Sequence, residues 1–340
     1  MERTYRKLQI LLSLSLFLFA AVALFDGARG QARAEPAGAA PESISVCIAP
    51  GPGIPVVLAQ EQSLFSKEGL QVTIKKYGAG SLAFDSMLAG ECDMATVGET
   101  PLVMKSFERQ DFTILATLVS SDDATRILAN KERGIQRAED LKGKTIFVHK
   151  NTTNHFFLEM FLMKNGVSPK EVTLIFKDVE DYAEAFATGR IDAVVGTDAL
   201  IRKPRQALGD KGIVFSSSGL CLNTFNLVTM QSVIKEKPQV VRKVVKTLLK
   251  SAEVLTKDRQ QAIRTLAKAM NTNEQDMAAT LQVNRWDVGL AQTLLLSLEQ
   301  EAQWAMDSGL TTKTHIPNYL NFIHRDVLHG LKPEAVTIMR

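Results

Sequence analysis

Short apolar runs alternate with helical stretches along the chain, a pattern typical of β-α units built around a mostly parallel sheet. A first series of these units begins at Ile44. Its predicted strands are Ile44–Ala49, Val72–Lys76, Asp93–Val97 and Thr113–Leu118. Its predicted helices are Pro55–Glu68, Leu82–Ala89 and Leu102–Arg109. This half of the chain is therefore expected to form one α/β layer structure.

A second series follows the first. Its predicted strands are Arg126–Ala129, Thr145–His149, Val172–Phe176 and Ala193–Val195. Its predicted helices are His155–Asn165 and Asp181–Thr188, and from Pro238 onward the pattern is almost entirely helical. The predicted fold class is α/β with two lobes and a helical C-terminal extension.

The two series share an internal echo. Leu88–Gly98 and Ala187–Gly196 each run from a helix end through a glycine to an aspartate, a small apolar strand and a closing glycine. Glycine closes a helix in the left-handed conformation, and Asp93 or Asp192 is expected to satisfy amides of the turn. Ligands of open α/β sheets bind at the carboxyl ends of the strands. The echo therefore predicts two similar lobes whose strand ends face a shared cleft.

The first residues of the chain predict export. A basic start precedes the apolar stretch Leu8–Phe25, and an A-x-A site follows at residues 32–34. This order is typical of a secretory signal peptide, here residues 1–34, with a linker at 35–43. A retained membrane anchor is the alternative, because the apolar stretch is just long enough to span a bilayer.

Charge indicates which partners the protein can bind, and the cysteine content indicates how its thiols are used. Without residues 1–34 the chain holds 35 basic and 35 acidic residues, and it shows no basic stripe with aromatics, so no nucleic acid is expected. Cys47, Cys92 and Cys221 fit neither a disulfide framework nor a metal site and are interpreted as buried thiols. A Cys47–Cys92 pair stays open in case their strands are neighbours.

Several motifs carry a resemblance to a known family. They are Pro55-x5-Glu61-x3-Phe65-x2-Glu68-Gly69-Leu70-x-Val72, Ala89-Gly90-x-x-Asp93-x-Ala95, Leu141-x-Gly143-Lys144, Asn151-Thr152-Thr153-Asn154-His155, Ala187-x-Gly189-x-Ile191-Asp192-Ala193 and Leu331-x-Pro333-x-x-Val336. In order and spacing they resemble the periplasmic solute-binding proteins of ABC importers, of the aliphatic-sulfonate, taurine, nitrate and thiamine-precursor type.

This resemblance implies the type II periplasmic-binding-protein fold. Lobe 1 would comprise 44–120 and 222–340, and lobe 2 would comprise 121–221. It also implies a monomer on the periplasmic or extracellular face that closes on a small polar or zwitterionic ligand. The closed form would deliver the ligand to a permease and an ATPase. Many sulfonate and taurine relatives carry an aromatic-acidic-proline turn where this chain has Gly196-Thr197-Asp198-Ala199, so the ligand is not implied.

Candidate binding residues lie at loop-to-helix junctions and at the crossovers between lobes. Helix N-termini offer unpaired N–H groups and positive potential to an anionic group. The candidates are Ile54, Pro55, Ser81, Glu99, Thr100, Ser120, Thr152, Thr153, His155, Asp198 and Asn223. Glu99 and Asp198 follow the two echoes and would suit the amine of a zwitterion. The alternative is that the Ser, Thr and acidic residues only cap their helices.

No catalytic motif, metal-ligand spacing or cofactor signature occurs in the sequence, so no catalytic residue, metal or cofactor is expected. A transport receptor is the leading hypothesis. Two alternatives are a membrane-tethered ligand sensor and an enzyme of thiamine-pyrimidine synthesis on the same fold.

Overall fold

The strands of the computed structural model, which describes residues 40–176, 184–216 and 218–339, form two five-stranded sheets. Sheet A consists of β1 (Glu42–Ile48), β2 (Leu70–Lys76), β3 (Met94–Gly98), β4 (Phe112–Ser121) and β10 (Asn223–Met230). Sheet B consists of β5 (Thr125–Asn130), β6 (Thr145–Phe147), β7 (Thr173–Ile175), β8 (Ala193–Thr197) and β9 (Gly212–Phe215).

The two sheets share one topology. Their strand orders are β2-β1-β3-β10-β4 and β7-β6-β8-β5-β9, so β6, β7, β8 and β9 take the places of β1, β2, β3 and β4. In each sheet four strands run in one direction and one strand runs antiparallel to both of its neighbours. The reversed strand is β10 in sheet A, between β3 and β4, and β5 in sheet B, between β8 and β9. Both reversed strands, β5 and β10, directly follow a crossover from the other sheet. The sheets are therefore mostly parallel, as the sequence predicts.

The helices predicted at Pro55, Leu82, Leu102 and His155 begin close to those positions, with Pro55–Glu68 split in two, whereas the helix Asp198–Leu208 was not predicted. Before β10 the helices are α1 (Ile54–Glu61), α2 (Leu64–Lys67), α3 (Gly80–Leu88), α4 (Glu99–Ser106), α5 (Thr153–Lys164) and α6 (Asp198–Leu208). The C-terminal part adds α7 (Gln231–Glu236), α8 (Pro238–Lys257), α9 (Arg259–Ala269), α10 (Glu274–Gln282), α11 (Gln292–Asp307) and α12 (Asp326–His329).

Sheet B is covered by helices on both faces, which explains its continuous apolar strands. Successive strand residues point to opposite faces. Ile146 packs with Phe157 and Leu158 of α5, whereas Phe147 packs on the other side with Ile201 of α6. Burial on both faces is what a mostly parallel sheet requires.

The internal echo has a structural basis that differs in one respect from the prediction. The glycines that end the two helices, Gly90 and Gly189, take positive φ of 82° and 71°. The aspartates bond to a neighbouring strand and not to the turn. Asp93 Oδ2 accepts from Ser45 N of β1 at 2.8 Å, and Asp192 Oδ2 accepts from Thr145 N at 2.8 Å. Each aspartate thus anchors the parallel strand beside its own, β1 for Asp93 and β6 for Asp192.

The cysteine prediction was wrong for two of the three residues. Cys47 of β1 and Cys92, which precedes β3, form a disulfide with their Cα atoms 6.1 Å apart. The reason is that β1 and β3 are hydrogen-bonded neighbours, with Cys47 paired to Ala95. Cys221 is a free, half-buried thiol.

Parts of several predictions lie outside the described residues. These include the signal peptide at 1–34 with its alternative anchor at Leu8–Phe25, and residues 181–183 of the predicted helix Asp181–Thr188, of which 184–187 are helical. Within the described ranges no helix combines the length and apolarity needed to cross a membrane. The lobe boundaries at 120/121 and 221/222 stay a prediction.

Candidate functional site

Three helix N-termini meet around Gly98, where β3 ends. A Cβ atom placed on Gly80, the first residue of α3, would lie 3.4 Å from Val97 Cα. A Cβ atom on Gly98, just before α4, would lie 2.8 Å from Oγ1 of Thr153, the first residue of α5. Helices α3 and α4 belong to the sheet A lobe and α5 to the sheet B lobe. The two lobes therefore touch where N–H groups of three helices are concentrated.

Thr100 and Thr153, both predicted site residues, meet across this contact. Thr100 Oγ1 donates to Thr153 Oγ1 at 3.5 Å, and both side chains are buried. Neither threonine caps a helix through its side chain. The residue that precedes α5, Thr152, donates its Oγ1 to the carbonyl of His149 at 2.7 Å and makes no side-chain cap bond. The capping alternative is therefore wrong for Thr152 and Thr153.

The crossovers between the sheets supply Asn223 and Ser120. Asn223 Nδ2 donates to Thr125 Oγ1 at 2.9 Å, which ties the start of β10 to the start of β5. Its Oδ1 is buried and, among the described residues, meets no hydrogen-bond donor. Ser120 pairs with Thr224 in the sheet and is half-buried. An unpaired buried acceptor beside an interlobe contact is a position where a bound molecule or a water would be stabilised.

Glu99 does not face the cleft, although the sequence predicts that it contacts the ligand. Its side chain is 1% exposed. Its Oε2 accepts from Thr224 N at 2.8 Å and from Thr224 Oγ1 at 3.2 Å. Thr224 in turn accepts from Asn226 Nδ2 at 3.1 Å. Glu99 is therefore held inside the sheet A lobe, and the predicted pair of carboxylates on opposite sides of a ligand is not supported.

The remaining candidate residues differ in how accessible their side chains are to a ligand. Ile54 and Pro55 are buried in the core, and Ile54 N donates to the carbonyl of Gly51, so neither is open to a ligand. Ser81, in the first turn of α3, and Asp198, the first residue of α6, are partly exposed. Ser81 lies in the same first turn as Gly80, beside the end of β3.

His155 takes part in a second contact between the lobes. Its Nε2 lies 3.2 Å from Oε1 of Glu159, one turn further along α5. Glu159 Oε2 also accepts from Trp304 Nε1 at 2.7 Å and from Ser308 Oγ at 2.8 Å. Trp304 lies on α11, which packs in the core of the sheet A lobe. We call His155, Glu159, Trp304 and Ser308 the interlobe latch.

The latch favours an ionised Glu159. Burial raises the pKa of this carboxyl, but the contact with His155 and the hydrogen bonds from Trp304 and Ser308 outweigh burial and leave the pKa below its ordinary value. His155 Nε2, predicted to donate to an anionic ligand, instead lies against the Glu159 carboxylate at 3.2 Å. The i, i+4 spacing of His155 and Glu159 is the signal in the sequence that indicates this pairing.

A groove of about 610 Å³ lies between α5 and α11, beside the latch. Met160, Met163 and Gln303 line it together with Glu159 and Trp304. This groove does not include Gly98 or the three helix N-termini. Across the described part of the chain, no group of three or more His, Cys, Asp or Glu side chains is placed to hold a metal ion.

Comparison with known proteins agrees with the resemblance seen in the sequence. The profile of the NMT1/THI5-like family matches residues 53–262, more than half of the chain. A Bacillus subtilis (strain 168) protein named for binding aliphatic sulfonates is 32% identical over 143 residues, which cover 41% of this chain and 43% of the relative. The taurine-binding periplasmic protein of Escherichia coli (strain K12) is 24% identical over 201 residues, covering 57% and 61%. The chain thus spans less than two thirds of either curated relative.

A solved structure covers more of the fold. The alkanesulfonate-binding protein SsuA from Xanthomonas axonopodis pv. citri, bound to MOPS, superposes with a TM-score of 0.73 at 21% identity and covers 84% of this chain and 99% of its own. At this identity the likeness shows the fold, the two-lobed fold of periplasmic binding proteins. From the profile match and this fold we conclude that the chain belongs to the NMT1/THI5-like family.

Proposed function

We propose that this protein is an extracytoplasmic solute-binding protein that delivers a small anionic or zwitterionic molecule to an ABC importer by closure of its lobes. The observation that carries the proposal is the convergence of α3, α4 and α5 on Gly98, with Thr153 of one lobe against Gly98 and Thr100 of the other. Such an arrangement binds an anionic group and closes two lobes over it.

The relatives support the ligand class and the partners. Two relatives and one protein of solved structure are named for binding aliphatic sulfonates, taurine and alkanesulfonates, respectively. A sulfonate suits helix N-termini because its charge is spread over three acceptor oxygens. By the same likeness, the partners would be a permease and an ATPase, the location would be periplasmic, and the protein would act as a monomer without catalysis.

The internal position of Glu99 limits which chemical groups of a ligand the site can bind. With its carboxyl bonded to Thr224, Glu99 offers no acceptor to a ligand amine. Among the described residues, acceptors near the strand ends include Asp198 and the unpaired Oδ1 atoms of Asn151 and Asn223. We therefore expect the anionic group to contribute most of the affinity, with an amine accepted but not required.

A titration series tests the proposal. Isothermal titration with taurine, a short alkanesulfonate, nitrate and an aminopyrimidine is expected to show binding of at least one sulfonate and weaker binding of the pyrimidine. Absence of heat and of a thermal shift with all four would contradict the proposal.

Replacing Gly98 with alanine is expected to weaken sulfonate binding by about tenfold, or about 1.4 kcal/mol. The backbone of Gly98 (φ −71°, ψ 167°) suits alanine. The added methyl would lie at ordinary contact distance, 3.8 Å, from Phe225 but only 2.8 Å from Thr153 Oγ1 of the other lobe, so it prevents full closure. Titration calorimetry measures the loss, and thermal unfolding without ligand checks that each lobe still folds.

The matched control is the double variant Gly98→Ala, Thr153→Ala. Removal of Thr153 Oγ1 makes space for the methyl, so affinity is expected to return to that of Thr153→Ala alone. Equal affinity of Gly98→Ala and the wild type would show that this contact does not form in the ligand-bound protein.

A further inference from the structure

A second buried acid lies against Glu99. Glu301 is on the face of α11 that packs into the core, in line with Leu298 and Ala305, and it is 1% exposed. Both of its carboxyl oxygens are buried, and neither meets hydrogen-bond geometry with a described residue. Its polar neighbours are Glu99 and Thr100 at the start of α4. Because the positions around residue 301 are apolar, a hydrophobic residue is expected there. A buried carboxyl at this position needs an interaction that compensates for its loss of hydration.

The two carboxyls have different surroundings. Glu99 accepts two hydrogen bonds from Thr224 and lies at the N-terminus of α4, where N–H groups and the helix dipole favour a negative charge. Glu301 has only the Thr100 hydroxyl beside it among the described donors, and neither of its oxygens meets hydrogen-bond geometry. A charged carboxylate in an apolar environment is strongly unfavourable unless it is paired. Glu99 is therefore the site for the negative charge, and Glu301 is the site for a proton.

The groups that face Glu301 from the packed elements contain no cation within the described structure. They are Glu99 of α4, Cys221 of the segment before β10 and Tyr319 of the turn Tyr319–Phe322, while Glu299 on α11 itself is exposed. None of these groups neutralises an ionised Glu301. Among the described residues no cation is left to neutralise it, so the neutralising partner is a proton.

We propose that Glu301 stays protonated at neutral pH and donates its proton to the Glu99 carboxylate, which makes Glu301 the positioning residue for the interlobe segment Gly98–Thr100. This segment contacts Thr153 of the other lobe. The pair therefore makes the position of the segment sensitive to pH. The inference concerns the unliganded protein and stands or falls independently of the proposed function.

Electrostatics agree with this geometry. Burial raises the pKa of Glu99 to about 7, although backbone amides and Thr224 oppose the rise. Burial and then the negative charge of Glu99 raise the pKa of Glu301 well above its ordinary value. Burial, followed by the charges of Glu301 and Glu99, raises the pKa of Cys221 to about 12, so this thiol does not ionise near neutrality.

The sign of the pH dependence follows. Unfolded glutamates lose their protons near pH 4.3, whereas the folded pair keeps them to higher pH. The folded state therefore binds more protons than the unfolded state above about pH 4.3, and stability decreases as pH rises through 7 and beyond.

Thermal unfolding of the wild type and of Glu301→Gln between pH 5 and pH 9 tests the proposal. The amide of glutamine donates to Glu99 as a protonated carboxyl does, but it cannot ionise. The two proteins are expected to melt at similar temperatures at pH 5, and at pH 8.5 Glu301→Gln is expected to melt about 3 °C higher or more. Glu299→Gln, an exposed position on the same helix, is the matched control and should follow the wild type at every pH.

Infrared spectroscopy provides a direct readout. The carbonyl band of a protonated carboxyl is expected in the wild type and in Glu299→Gln at pH 7, and it should be lost or reduced in Glu301→Gln. Parallel pH profiles for the wild type and Glu301→Gln would overturn the proposal. If Glu301→Gln does not fold, the wild-type spectrum decides: absence of the band at pH 7 overturns the proposal and its presence supports it.

Discussion

Replacing Cys47 and Cys92 together with alanine is expected to lower the free energy of unfolding by about 4 kcal/mol. The disulfide joins residues 45 positions apart. Loss of a cross-link of this span raises the conformational entropy of the unfolded chain, which stabilises the unfolded state by about that free energy. It also joins β1 to the segment that leads into β3, and β1 and β3 are hydrogen-bonded neighbours in sheet A. Urea denaturation of the oxidised wild type and of the double variant measures the difference.

Cys221→Ala is the control for this prediction. Cys221 is a free thiol, so its replacement is expected to cost about 1 kcal/mol or less, as is usual for a small change at a half-buried position. Equal stabilities of the wild type and the double variant would show that the disulfide does not form. Disulfides persist in oxidising compartments, so formation of this one also supports the predicted export.

Replacing Glu159 with alanine is expected to lower the free energy of unfolding by about 3–5 kcal/mol, because removal of one partner leaves the others buried and unpaired. The groups left without an acceptor are Trp304 Nε1 and Ser308 Oγ, and His155 Nε2 loses the carboxylate beside it. Glu159→Gln retains one acceptor oxygen and should lose less than half as much. Chemical denaturation at pH 7 measures both variants.

The pH dependence of the same variants identifies the charge on Glu159. Its pKa lies below the ordinary value in the folded protein, so its contribution is complete at pH 7 and is lost as pH falls below about 4.3. The difference between wild type and Glu159→Gln should therefore shrink between pH 6 and pH 3.5. A constant difference over this range would argue against an ionised Glu159 in the latch.

Periodicity predicts most of the fold but misses β9, β10 and the helix α6. The reason is visible in β10, whose buried positions include Thr224, Asn226 and Thr229. Each of these polar side chains forms a hydrogen bond with a partner outside its own turn or strand, such as Thr117 Oγ1, which donates to Asn226 Oδ1 at 2.8 Å. A strand whose interior is polar but fully bonded does not show the apolar run on which strand prediction depends.

The site could be predicted only in part, for a related reason. The position of Thr153 and of Gly98 follows from local rules, because helices begin where strands end in an α/β unit. The orientation of Glu99 does not, since it depends on Thr224, which is 125 residues away in sequence, and on Glu301. The latch likewise joins Glu159 to Trp304 across 145 residues. Contacts of this range are not encoded in any local pattern.

The strand order of sheet A has a consequence for the newly made chain. Strand β10 lies between β3 and β4, yet the chain reaches it only after every strand of sheet B. During synthesis from the N-terminus onward, the apolar edges of β3 and β4 that later pair with β10 therefore stay unpaired until Asn223–Met230 has been made. Unpaired strand edges promote association with other chains. We expect these two edges to be the segments that a holdase chaperone covers, and the sheet B lobe to be complete first.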